Sequence, residues 1–288
     1  MKIQKAPDNL PSRFIYELIE RCNYNCIHCF VPHRLKGPTT SEAINISNKV
    51  VDSGIPSISW TGGEPYLRKD LFDIMKHTRQ GDVIHTINTN GSLINEDIAK
   101  RTREFFKLVR VSIYGSNNTF YRNTGGVRKY NYETSLKAIE TFLECGLPVQ
   151  VNFPIISPNV EDIEIVSKEI NKRFGNSIEE LVYIPSIKIG EKRDDNYHYP
   201  SLGEITEYVS NFSNNMSFPV RYFIWKPGKH MLLKADTNVY AHPIFNNEKG
   251  YLRIGNIFEE SIEELWSKFP IEFKEDHRNL TPSVDYLA

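Results

Sequence analysis

Residues 14–29 read FIYELIERCNYNCIHC, a β-prone apolar run that passes directly into three cysteines spaced CxxxCxxC. A short buried strand opening onto a polar loop is the first half of a parallel strand–helix unit. Cys22, Cys26 and Cys29 stand where that strand gives way to its loop, and only Cys145 remains elsewhere in the 288 residues. A disulfide framework would spread its cysteines, so this crowding argues for a reducing compartment and a metal group. Three thiolates on one loop can hold three corners of a cubane iron–sulfur cluster and leave the fourth iron open, whereas ordinary clusters take four cysteines. Two other readings stay open: buried thiols with no ligand, or a structural zinc site completed by His33 as a Cys₃His set.

Working outward, the strand–loop–helix pattern repeats in units of roughly 30 to 45 residues, the mark of parallel crossovers. Further strands are predicted over 57–60, 83–88, 108–114, 149–153 and 181–184, each short and rich in β-branched or aromatic residues. Helix ends are readable between them. A segment capped by Thr40 stops at Gly54, one over 132–145 stops at Gly146 with Pro148 beyond, and one over 160–174 stops at Gly175. Periodicity does not choose between a barrel and a doubly wound sheet. The motifs at the strand ends do help: TGGEP (61–65) follows the second strand and NTNG (88–91) the third, while SIYG (112–115) closes the fourth. In a barrel these positions share one face, the one on which barrel active sites are built. The expected class is therefore α/β, a partial (β/α)₆ TIM-like barrel. Cys145, at the far end of a helix, falls on the opposite face and reads as a small buried apolar residue.

Composition bounds the partners. Lysine plus arginine number 35 against 36 acidic residues, a net charge of −1, which argues against nucleic acid held through its phosphates. No apolar run approaches the ~20 residues a membrane span needs, so a cytoplasmic protein with no membrane partner is expected. Residues 1–13 read as an N-terminal extension and 14–200 as the barrel. After the polar run GEKRDDNYHYP (190–200), residues 201–288 read as a small C-terminal α+β unit. It contains a helix over 201–212, a turn at 236–238 between two short strands, and a closing helix over 261–269.

The triplet followed by the TGGEP turn resembles the radical S-adenosylmethionine (radical SAM) superfamily. The resemblance implies that Cys22, Cys26 and Cys29 bind one [4Fe–4S] cluster, with S-adenosylmethionine chelating the open iron. It also implies cofactor contacts from His28, next to the third cysteine, from Gly62, Gly63 and Glu64 at the cofactor's amino group, and from Thr89, Ser112 and Asn152. The chemistry it implies is reductive cleavage of S-adenosylmethionine to a 5′-deoxyadenosyl radical that abstracts hydrogen from substrate. An electron donor such as flavodoxin or ferredoxin would supply the electron. The stretches at 111–126, 150–159, 234–243 and 252–266 resemble the SPASM and twitch branch, which carries auxiliary clusters at its C-terminal hairpin. This chain has no cysteine after Cys145, and His242 stands about where one would be expected. A single cluster follows, and with it a reaction that is redox-neutral or returns its electron to that cluster. The function implied is tailoring of a peptide in natural-product (RiPP) biosynthesis. The alternative is a small-molecule substrate: a nucleoside, sugar or amino acid derivative. The zinc reading does not account for the glycine turns at successive strand ends.

Overall fold

The computed structural model describes residues 9–274 except for 33, 80, 118–120, 122–130, 157–159, 187–201, 211–212, 223–228 and 242–250. Six strands pair in chain order and all in parallel: β1 (Arg13–Ile19), β2 (Ser57–Gly62), β3 (Ile84–Thr89), β4 (Leu108–Ser112), β5 (Val149–Ile155) and β6 (Glu180–Pro185). Helices α1 (Thr40–Ser53), α2 (Leu71–His77), α3 (Glu96–Phe105), α4 (Tyr132–Glu144) and α5 (Asp162–Phe174) make the crossovers. The expected α/β fold with a largely parallel sheet is the one observed.

Local sequence sets the ends of these elements. Thr39, one residue before the expected cap, accepts from Glu42 N at 3.3 Å, while the Glu42 carboxylate takes Thr39 N at 2.7 Å. This reciprocal pair satisfies backbone groups at the helix start that would otherwise lack partners. Gly54 then ends α1 in the left-handed conformation at φ 85°.

The sheet does not stop at the sixth strand. Strand β7 (Val220–Tyr222) adds in parallel to β6, and β8 (His230–Leu233) adds in parallel to the other edge, against β1. Antiparallel β9 (Asn238–Ala241) and β10 (Leu252–Asn256) extend that edge. Eight strands thus run parallel in a row. The two added ones are three and four residues long, too short for a periodic signal to mark them. Helix α6 (Leu202–Ser210) falls inside the segment expected to be helical, and α7 (Ile262–Ser267) closes the described chain's helices. The turn at 236–238 is present: Asp236 Oδ1 accepts from Asn238 N at 3.0 Å, and Thr237 takes φ 66°.

Burial sorts the two faces of the strands. Phe14, Tyr16, Leu18, Trp60, Ile87, Val109, Val111, Val151, Phe153 and Tyr183 point to one side and form a continuous core with the helices. The intervening residues, Glu17, Thr61, Asn88, Arg110, Ser112 and Asn152, line a cavity on the other side. Barrel interiors are ordinarily filled by branched apolar side chains. This one sets polar and charged side chains among apolar ones such as Ile15, Ile184 and Leu232, and the space inside is left for a ligand.

Candidate active site

The cavity measures about 270 Å³ and is bordered by the cysteine loop, the strand ends and the inward residues of β1 to β6 and β8. Cys22, Cys26 and Cys29 all lie on its wall. The loop that carries them is held from both sides. Glu20, buried at its root, accepts from Arg34 N and Leu35 N at 3.0 Å each, which clamps the returning chain. On the other side Asn90 Nδ2 donates to Asn23 Oδ1 at 2.9 Å and approaches Cys22 Sγ at 3.7 Å. Cys22 Sγ also accepts from Tyr24 N at 3.3 Å.

Three sulfur donors on one wall, one of them receiving N–H groups, fit an iron–sulfur cluster, whose thiolates each take their own iron. Among the described residues no three His, Cys, Asp or Glu side chains converge on a single-ion position. Burial pushes the Cys22 thiol up to about 12, with the nearby charges of Glu64 and Cys29 adding to the effect and the hydrogen bonds from Tyr24 and Asn90 opposing it. Without a metal this thiol is protonated at neutral pH, and metal binding would release the proton. His33, needed for the zinc alternative, and His242 lie outside the described residues.

Aromatic rings back the loop. Tyr114 stands 5.7 Å from the rings of Tyr24, His28 and Tyr121 alike, measured between centroids. His28 lines the cavity, as do Gly62, Gly63, Thr89, Ser112 and Asn152. Six of the seven residues expected at a cofactor thus border one space. Glu64 is placed differently: its fully buried carboxylate lies behind the wall. It accepts from Asn90 N at 2.8 Å, Thr89 Oγ1 at 3.0 Å and Tyr66 N at 3.2 Å. Burial raises its pKa to about 7, against those three hydrogen bonds. In this arrangement Glu64 ties the 88–91 loop to the glycine turn. Cys145 caps the far end of α4, where its carbonyl accepts from Arg103 Nη1 at 3.0 Å, away from the cavity.

Two residues of the wall, Glu17 and Arg110, were not singled out in the sequence. Their signal was available: each is a charge at an inward position of an otherwise apolar parallel strand, where a charge is rare without a partner.

Comparison with known proteins agrees with this geometry. The chain is 28% identical over 195 residues to an AdoMet-dependent heme synthase of Methanosarcina barkeri, covering 66% of this chain and 55% of that protein. It is thus matched to about half the length of that relative. A probable GTP 3′,8-cyclase of Sulfurisphaera tokodaii is 23% identical over 229 residues, 78% of this chain and 72% of the other. Among solved structures, Streptococcus suis SuiB superposes with a TM-score of 0.73 at 14% identity, over 92% of this chain and 67% of SuiB. Its forms bound to S-adenosylmethionine and to the precursor peptide SuiA give 0.72 each. Residues 16–169, more than half of the chain and the span that carries the cysteine loop and β1 to β5, match the family described as Radical SAM, and the chain belongs to that superfamily.

Proposed function

We propose that this chain is a radical SAM enzyme with one [4Fe–4S] cluster, held by Cys22, Cys26 and Cys29, that tailors a peptide in natural-product biosynthesis. The observation that carries the reading is the meeting of three cysteines with polar inward residues of successive strands on one cavity. Bound there, the cluster and S-adenosylmethionine would supply one-electron chemistry and a hydrogen-abstracting radical. The chain's own residues position and exclude. The rings of Tyr24, His28 and Tyr114 shield the cysteine loop, and the Glu64 network keeps Thr89 and Asn90 in register with the glycine turn. Gly62, Gly63, His28, Thr89, Ser112 and Asn152 form the cofactor's share of the wall, with Glu64 fixing it from behind. From the C-terminal residues, Leu232 of β8 contributes to the wall, and we assign the C-terminal unit to the substrate side.

The likeness of fold to SuiB, which has been solved with a precursor peptide, supports a peptide substrate. The sequence likeness to GTP 3′,8-cyclases favours the second reading, a small-molecule substrate. Anaerobic reconstitution tests the common core: about four irons and four sulfides per chain are expected, and about eight irons would refute a single cluster. Cys26→Ala should lose the cluster and all formation of 5′-deoxyadenosine. Zinc without labile sulfide would overturn the cluster reading, and unchanged cofactor cleavage in Cys26→Ala would overturn the ligand assignment. Incubation with a precursor peptide encoded beside the gene, followed by mass spectrometry, separates the peptide reading from the small-molecule one.

A further inference from the structure

Arg110 sits on the cavity wall at 2% exposure, two residues deeper along β4 than Ser112. Every partner it has among the described residues is neutral. Nε donates to Gln150 Oε1 at 3.0 Å, and Nη1 donates to Thr86 Oγ1 at 2.8 Å and Ser59 Oγ at 3.3 Å. Nη2 has no acceptor among the described residues. The carboxylate whose field Arg110 feels, Glu180, is itself engaged by Arg221 at 3.0 Å, and Arg13 adds a second positive charge. A buried guanidinium without a counter-ion is costly, and that cost is offset when an anion arrives.

The neighbouring amide is turned to help. An arginine only donates, so the Gln150 atom facing Arg110 must be its oxygen. Gln150 Nε2 is then the donor to Asn152 Oδ1, at 2.6 Å. Asn152 therefore has its acceptor occupied, and its Nδ2 remains to donate into the cavity that Asn152 lines. The chain Arg110–Gln150–Asn152 fixes two donors on the β4–β5 wall. The Glu17 carboxyl of β1 lines the same cavity.

We propose that the part of the substrate entering the cavity carries an oxyanion, a carboxylate or a phosphate, bound by Arg110 Nη2 and Asn152 Nδ2. This rests on the radical SAM reading but not on the substrate being a peptide. Arg110 lies two residues deeper along β4 than Ser112, while Asn152 pairs in register with Ser112 and so stands where this site meets the cofactor's share of the wall. A guanidinium joined to an oriented amide suits the planar or tetrahedral oxygens of either group.

The test uses matched probes with the full reconstituted chain, in the presence of S-adenosylmethionine, read by calorimetry. One pair is the acetylated, amidated tripeptide Gly-Glu-Gly and its Gly-Gln-Gly twin. The other is guanosine monophosphate and guanosine. At least one anionic member should bind about tenfold or more tightly than its neutral twin. That preference should disappear in Arg110→Gln, with the affinity for S-adenosylmethionine changed less than about twofold. Arg110→Lys, which keeps the charge but not the fork, should retain only part of it and guards against a variant that fails to fold. If neither anion is preferred, including the case where no probe binds, the proposal is overturned. It is equally overturned if Arg110→Gln keeps the preference, or if S-adenosylmethionine affinity falls in step, which would give Arg110 to the cofactor's own carboxylate. Preference confined to the nucleotide pair would uphold the oxyanion site while refuting the peptide reading.

Discussion

Glu17 is 2% exposed, yet its buried Oε2 has no hydrogen-bond partner among the described residues. Burial is the main reason its pKa rises to about 7, with Glu20 and Asp236 adding to it and Lys234 opposing. Lys234 is held at a distance, its ammonium 4.4 Å from the ring centroid of Tyr251 and 5.4 Å from that of Tyr240. The sign of the pH effect follows. A carboxyl whose folded pKa lies above its unfolded value contributes stability fully below the unfolded pKa, near 4.5, and that contribution is lost as pH rises through about 7. Glu17→Gln keeps the shape and removes the titration. We expect the variant to gain on the wild type between pH 5 and pH 8 by on the order of 2 kcal/mol in urea unfolding. A difference that does not change with pH would show that the carboxyl finds a partner in solution. Neither Glu17 nor Arg110 stood out in the sequence because each strand was judged by its apolar residues. The charges themselves are legible in the sequence, but that they face inward follows only once the other face is known to pack on helices.

At the scale of one element, the Gly62–Gly63 turn shows what a motif conveys and what it conceals. Its place at the end of β2 was legible, and glycine there was read as room for a cofactor. In the structure the close approach is to the chain itself. Gly63 N donates to Ile19 O at 2.6 Å and Glu64 N to Arg21 O at 2.9 Å, so the turn grips the root of the cysteine loop. A Cβ on Gly63 would lie 2.2 Å from Arg21 O and 2.4 Å from Glu20 O, both backbone atoms that cannot swing aside. Gly62 carries φ 135°, a conformation open chiefly to glycine. Gly63→Ala should therefore displace the 20–22 backbone and cost on the order of 2–4 kcal/mol. Iron retained after anaerobic reconstitution should fall by more than half. Wild-type stability together with full iron content would mean that the turn serves only the cofactor. Which backbone the glycines face is not legible, because it depends on the parallel register of β1 and β2, which pairs residues as far apart in sequence as Phe14 and Ile58.

At the scale of the whole molecule, the question is whether residues beyond 201 fold as a separate unit or complete the barrel. In the sequence, the polar run at 190–200 marks a change of unit. The sheet instead runs on through β7 at one edge and β8 at the other. Met231 and Leu233 of β8 are fully buried in the same core as Phe14 and Tyr16 of β1. Lys49 on α1 reaches across to donate to Ile257 O at 2.6 Å. Strand β1 carries the cysteine loop, so β8 supports that loop from the side opposite β2. Without it β1 would be an edge, with its ladder groups exposed. If this coupling holds, the molecule unfolds as one unit. Met231→Ala removes buried volume that β8 alone does not surround, and is expected to cost about 2–4 kcal/mol. It should lower a single transition by several degrees, seen alike in near-ultraviolet circular dichroism and calorimetry. Labile sulfide in the reconstituted variant should be lost at the same lowered temperature. Two separated transitions, with only the earlier one moved by the substitution and the cluster lost at the later, would establish the C-terminal residues as an independent domain. The support of β1 would then have to come from β2 alone.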